Sequence, residues 1–301
     1  MRTMALTALA AVLLAVSGCA AISEKGSGVV VTTNILGDIT KEIAGDETEV
    51  TVLMKPGADP HSFGVAAKQA AKLEQSELII HNGLGLEEGV RHHVEAAAEA
   101  GVPTLAVAEE ADPIEYTDGE TAGEADPHFW TDPVRVAEAV DVIAEQITET
   151  VSGVDVAAIK ANAKKYRSKV SSLHKENIRA FDGIPSGNRK LVTNHHVFGY
   201  LAKRYDFEVI GAVVPSGTTL ASPSSADLKD LAEAVKESGV TAVFADSTQP
   251  DKLAKAMARE TGMDIDVIPL YSESLTDAEG GAGTYLRMAA ANTAAIAEGL
   301  S

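Results

Sequence analysis

With 301 residues, 45% hydrophobic and 23% charged, the chain has ordinary globular usage, and at about 100–200 residues per domain it has room for two cores. A net charge of −19 argues against a nucleic-acid partner, because affinity for phosphate backbones comes mainly from Lys and Arg. Neither a disordered chain nor a fibrous repeat fits this composition.

The first segment is Arg2 followed by an apolar stretch from Met4 to Val16, too short to span a bilayer as a mature helix, and then small residues. Residues 1–18 are therefore expected to be a secretion signal. Cys19, the only cysteine, follows Val16-Ser17-Gly18, and this resembles the lipobox of bacterial lipoproteins. The resemblance implies cleavage before Cys19, lipidation of Cys19 and an extracytoplasmic protein anchored to the bacterial cell membrane. An acylation role also accounts for a thiol that can make no internal disulfide. A plain signal peptide with an incidental cysteine is the alternative. Residues 19–28 follow as a tether.

Next come short β-rich runs alternating with helical stretches: Val29 to Thr33, Val50 to Met54, Leu78 to Asn82 and Thr104 to Val107. Nearly all-apolar runs suit parallel strands covered by helices on both faces, so residues 29–153 are expected to form an α/β lobe. Between Val154 and Phe181 the pattern becomes a long polar helix with Ile159, Ala163, Tyr166, Val170 and Leu173 on one stripe. It stops at Asp182-Gly183-Ile184-Pro185, and residues 154–183 are expected to be a rigid linker helix, a strut between lobes. A second α/β series fills residues 184–301, with strands near Lys190 to Asn194, Glu208 to Val214, Val240 to Ala245 and Asp266 to Pro269. One helix begins at Ser224, with Asp227 placed for a capping box, and ends at Gly239; the last runs from about Thr284 to Leu300. The fold class expected is α/β, two Rossmann-like lobes joined by one long helix, with a ligand site where loops at the carboxyl ends of strands meet in the cleft. Neither GxGxxG nor GxxxxGK[ST] is present, which argues against a nucleotide.

Among 8 histidines, the informative ones lie in loops. His61 sits in Asp59-Pro60-His61-Ser62-Phe63, just beyond the second strand. His128 sits in Asp126-Pro127-His128-Phe129-Trp130-Thr131-Asp132-Pro133, repeating the Asp-Pro-His-x-aromatic pattern ahead of a helix cap and a first-turn proline. The aspartates of both motifs are candidate acceptors for imidazole N–H groups. His195 and His196 follow a strand of the second lobe and precede Phe198-Gly199-Tyr200, and Glu273 stands after the last strand.

These segments resemble the zinc and manganese substrate-binding proteins of bacterial ABC importers, over the whole mature chain. In that family two Asp-Pro-His histidines, a His or Glu three residues before the Phe of x-Phe-x-Tyr, and an acidic residue near the C-terminus bind the metal. The resemblance assigns those roles to His61, His128, His195 and Glu273, since His195 and not His196 stands three before Phe198. It also implies an ABC permease as partner and a monomeric protein that is not an enzyme. Three imidazoles and one carboxylate suit Zn2+, whereas manganese prefers oxygen-rich shells; manganese remains the alternative metal.

Many zinc-binding relatives carry a His-rich loop before the second motif. Here Asp112 to Asp126 contains Glu115, Asp118, Glu120 and Glu124 but no histidine, so it reads as a solvated, mobile loop. His81, His92, His93 and His174 read as surface or satisfied polar residues. A secreted zinc hydrolase is the competing class, but it needs an open coordination position, and no HExxH occurs. A surface adhesin is compatible with metal binding. Because ligand imidazoles must be neutral, zinc affinity is expected to decline toward pH of roughly 5 to 6.

Overall fold

The computed structural model describes residues 28–117 and 121–301. The signal peptide, the Cys19 anchor and the tether up to Lys25-Gly26-Ser27 lie outside those residues.

The first lobe runs β1 (Val29–Val31), α1 (Asn34–Ala44), β2 (Val50–Val52), α2 (Ala67–Gln75), β3 (Leu78–His81), α3 (Glu88–Glu99), β4 (Thr104–Ala106), α4 (Val107–Glu110) and α5 (Pro133–Thr150). Its parallel sheet has the order β2-β1-β3-β4, with Val29 facing both Val50 and Leu78. The Val29-Val30-Val31 triplet is fully buried, as a strand paired on both edges and covered on both faces must be. Strand β1 stops short of the predicted Thr33 because that residue caps α1, its hydroxyl accepting the Leu36 N–H at 3.4 Å.

Helix α6 (Val156–Asp182) follows, 27 residues long, with the Asp155 carboxylate accepting the Ala157 N–H at 2.8 Å as its N-cap. The predicted stripe of Ile159, Ala163, Tyr166, Val170 and Leu173 is buried. It faces α5, α10 (Tyr285–Gly299) and α1, within the first lobe's core, and His174, Asn177 and Phe181 reach toward the second lobe. The helix therefore covers one lobe as well as leading to the next. Spacing reveals that a stripe exists; it carries no information about what the stripe meets.

The second lobe runs β5 (Lys190–Thr193), α7 (Gly199–Tyr205), β6 (Glu208–Ala212), α8 (Ser225–Ser238), β7 (Ala242–Asp246), α9 (Lys252–Glu260), β8 (Asp266–Leu270) and α10 (Tyr285–Gly299). Its sheet order, β6-β5-β7-β8, repeats that of the first. The predicted capping box is present: Ser224 accepts the Asp227 N–H at 3.2 Å and the Asp227 carboxylate accepts the Ser224 N–H at 2.7 Å. Gly239 closes α8 in the left-handed conformation, φ +68°.

The C-terminal segment stitches the halves together. Leu275, Ala282, Tyr285 and Met288 pack in the first lobe's core, whereas Ile296 and Leu300 pack in the second's. Among the described residues no helix is long and apolar enough to cross a membrane.

Candidate metal centre

Loops on the carboxyl side of the parallel strands deliver the four candidate side chains. His61 follows β2, His128 follows β4 and α4 and leads through a 3-10 turn (Phe129–Thr131) into α5, His195 follows β5, and Glu273 follows β8. The two Asp-Pro-His segments fold alike. Asp59 Oδ1 accepts the His61 backbone N–H at 2.9 Å, and Asp126 Oδ1 accepts that of His128 at 2.9 Å. Each is an Asx-type turn with a proline between, which sets the direction of the histidine. After the second, Asp132 caps α5 by accepting the Val134 N–H at 2.9 Å, with Pro133 in the first turn, as the sequence predicts.

His61, His128, His195 and Glu273 converge: each offers a ligand atom within 4.8 Å of every other, and all four residues are buried. Their imidazole centroids form a nearly equilateral triangle with sides of 5.6, 5.5 and 5.4 Å. The Glu273 carboxylate completes the group, lying 3.0 Å from His195 Nε2, 3.4 Å from His128 Nε2 and 3.9 Å from His61 Nε2. Among the described residues ten buried side-chain polar atoms lack a hydrogen-bond partner, and six of them belong to these four side chains. Since a buried, unpaired polar group costs about 1–3 kcal/mol, such a concentration marks a place shaped for a polar or ionic guest.

Surrounding residues hold the rings in place. The His128 Nδ1 lies 2.7 Å from Asp126 Oδ1 and 3.3 Å from the Tyr116 hydroxyl. With its proton engaged there, His128 turns Nε2 toward Glu273. The Trp130 indole N–H donates to the Ser272 carbonyl at 2.8 Å, tying the second motif to the Glu273 loop. The Thr193 hydroxyl donates to the His195 carbonyl at 2.7 Å. Asp59 differs from Asp126: its second oxygen meets Ser62, Thr219 and Gln249.

Burial dominates the electrostatics. It pushes His61 down to about 4 and His128 down to about 3, with the Glu273 carboxylate opposing in both cases, and it lowers His195 as well. Glu273 is pushed up to about 7 by the same desolvation, partly offset by His128 and His61. The imidazoles are thus neutral and ready to donate lone pairs, while the carboxylate holds its proton up to neutrality. Asp126, whose Oδ1 lies 2.7 Å from His128 Nδ1, is also raised to about 7 by burial, opposed by the hydrogen bond from the His128 backbone N–H.

The remaining histidines take no part. His174 Nδ1 lies 3.0 Å from the Tyr205 hydroxyl; His92 and His93 are exposed on α3; His81 lines a separate 210 Å3 cavity with Glu87 and Glu109. His196 donates its backbone N–H to Ser216 and lines a 640 Å3 cavity beside the site. Tyr116 escaped the sequence reading. Among the described residues the two flanks of the acidic segment pair, Glu115 bridging Ala125 and Tyr116 exchanging backbone bonds with Gly123 and Glu124, while Asp112, Glu115 and Glu124 stay exposed. This pairing brings Tyr116 onto His128, with the ring laid against Gly217, where a Cβ would collide with it. Asp59 was foreseen as an imidazole acceptor, whereas its carboxylate reaches across to the second lobe.

Residues 29–299 match the family described as zinc-uptake complex component A, periplasmic (ZnuA). The chain belongs to this family. It is 31% identical to the metal ABC transporter substrate-binding lipoprotein ScbA of Streptococcus cristatus, over 97% of this chain and 98% of that protein. It is 28% identical to the manganese-binding lipoprotein MntA of Halalkalibacterium halodurans, over 96% of this chain and 95% of that protein. The fold superposes on the periplasmic zinc binding protein TroA of Treponema pallidum with a TM-score of 0.82 at 27% identity, covering 91% of this chain and 99% of that one. Another relative, YfeA of Yersinia pestis, is named for iron. Members of the family are substrate-binding proteins of metal ABC transporters, and this chain is one of them, not an enzyme. The hydrolase reading falls with that assignment.

Proposed function

We propose that the protein captures one zinc ion outside the cytoplasm with His61, His128, His195 and Glu273 and delivers it to an ABC permease. It does so as a monomer held on the cell membrane through a lipid on Cys19. The observation that carries the reading is the spacing of the four buried side chains. Zinc bonds of about 2.0–2.2 Å at tetrahedral angles set neighbouring ligand atoms about 3.3 Å apart. The carboxylate–imidazole separations of 3.0, 3.4 and 3.9 Å straddle that value.

Chemistry selects among metals. Three imidazoles and a carboxylate suit zinc, and the intrinsic order of affinities favours zinc over manganese in a nitrogen-rich site. Manganese has one observation on its side besides its relatives' names. Both Glu273 oxygens lack partners, so a bidentate carboxylate would raise the shell to five donor atoms.

The deciding experiment is elemental analysis of protein purified without added metal, followed by competitive zinc and manganese titrations. One zinc per chain, bound more tightly than manganese, is expected. A preference for manganese would replace the metal, and absence of stoichiometric binding of either would overturn the site. For the anchor, a lipid-sized mass on Cys19 is expected, with Cys19→Ala releasing the protein from membranes; a soluble unmodified wild type would refute it.

A further inference from the structure

Asp59 is buried, 8% exposed, yet the carboxylate does not point at the ring of His61 two residues on. Its Oδ1 stays within the turn. Its Oδ2 accepts from the Thr219 hydroxyl at 2.6 Å and the Gln249 amide at 2.9 Å, with Ser62 Oγ at 3.1 Å. Thr219 lies in the loop after β6 and Gln249 in the loop after β7, so one oxygen gathers donors from two separate loops of the opposite lobe. His195 and Glu273 belong to that lobe, and His61 to the other. Any movement that separates His61 from those two ligands by parting the lobes must therefore break both bonds to Asp59.

We propose that Asp59 is a positioning residue that clasps the His61 loop to the second lobe and so governs how fast the captured ion leaves. The proposal rests on the four-residue metal site argued above. Capture draws on an open form, in which the clasp is not made; release must first undo it. The clasp therefore acts on the dissociation rate and leaves the association rate nearly unchanged. The bonds join neutral donors to a buried carboxylate and belong to the stronger class of hydrogen bonds. Losing the charge should raise the dissociation rate about 10-fold to 100-fold.

The test is chelator-competition stopped flow with zinc on the mature protein. Wild type is compared with Asp59→Asn, Thr219→Val, Gln249→Leu and the Thr219→Val/Gln249→Leu pair. The last three leave the Asp-Pro-His turn untouched, so they decide the matter even if Asp59→Asn folds poorly. Faster release is expected in every variant, with one zinc per chain retained and association unchanged. Adding Thr219→Val to Asp59→Asn should bring little further acceleration, because both remove the same bond. Unchanged release in the Thr219 and Gln249 variants overturns the clasp, and so does a fall in melting temperature of the metal-free protein without a change in release. Failure of wild type to bind zinc at all would instead overturn the metal site itself, and the clasp with it.

Discussion

The two Asp-Pro-His motifs share a sequence and a backbone turn but divide their labour. In the second, Asp126 spends one oxygen on both the backbone N–H and the ring of His128, and the ring is fully buried. In the first, Asp59 spends one oxygen on the backbone of His61 and the other on the opposite lobe. One histidine is oriented by its own motif, the other by the closure of the molecule. A repeated motif thus specifies where a donor emerges, while the surroundings decide what the accompanying carboxylate does.

The largest effects should come from the donors themselves. His128→Ala and Glu273→Ala are each expected to lower zinc affinity by more than about 100-fold, above the range that an outer partner reaches. Isothermal or competitive titration checks this; a loss under tenfold in either would remove that residue from the shell. The next step sharpens the contrast between motifs. Asp126→Asn should weaken affinity by about 10-fold to 100-fold, because the amide no longer fixes the tautomer of the His128 ring. Histidine ring 15N shifts should report the change. An altered tautomer in Asp59→Asn but not in Asp126→Asn would invert the comparison.

Proton competition follows a different course from the one that ordinary histidines predict. With His61 held at about 4 and His128 at about 3, these imidazoles carry no proton for the ion to displace through the mildly acidic range. Glu273, raised to about 7, does carry one below neutrality, and the ion must expel it. Affinity should therefore be flat above about pH 7 and fall about tenfold per pH unit below it, a slope of one proton. Asp126, also raised to about 7, is not a ligand, and it would add to the slope only as far as the bound ion changes its own hold on a proton. Zinc titrations between pH 5 and 8 measure this; a slope approaching three would return the imidazoles to their unperturbed value of about 6.5.

Much of this was legible before the fold. The Asp-Pro-His repeat announced itself because proline and an Asx turn fix local direction from neighbouring residues alone, and the apolar runs at Val29, Leu78 and Val240 marked buried strands for the same local reason. What stayed hidden was long-range. Thr219 and Gln249 stand 160 and 190 positions from Asp59, and no pattern near any of the three betrays the meeting. The stripe on α6 was visible, but its partners α5, α10 and α1 were not. The crossing of Leu275 and Tyr285 into the first lobe's core was equally silent, since apolar residues there suit either lobe.

Tyr116 shows what composition leaves out, and it supplies the mildest test. Acidic neighbours mark residues 112–126 as solvated, and Asp112, Glu115 and Glu124 are exposed, but backbone bonds between Tyr116 and both Gly123 and Glu124 pair the two flanks, a feature that charge content does not encode. The Tyr116 hydroxyl is a secondary partner of the Asp126–His128 pair, longer at 3.3 Å than the 2.7 Å carboxylate contact. Tyr116→Phe should therefore weaken zinc affinity by less than about tenfold, in keeping with the loss of one ordinary hydrogen bond. The phenyl ring would still rest against Gly217. Tyr116→Ala removes that contact too and should speed zinc release beyond the phenylalanine variant, by exposing the His128 side of the site to the neighbouring cavity. If Tyr116→Phe instead matched Asp126→Asn, the hydroxyl and not the carboxylate would be what holds the ring, and the contrast between the two motifs would rest on the tyrosine.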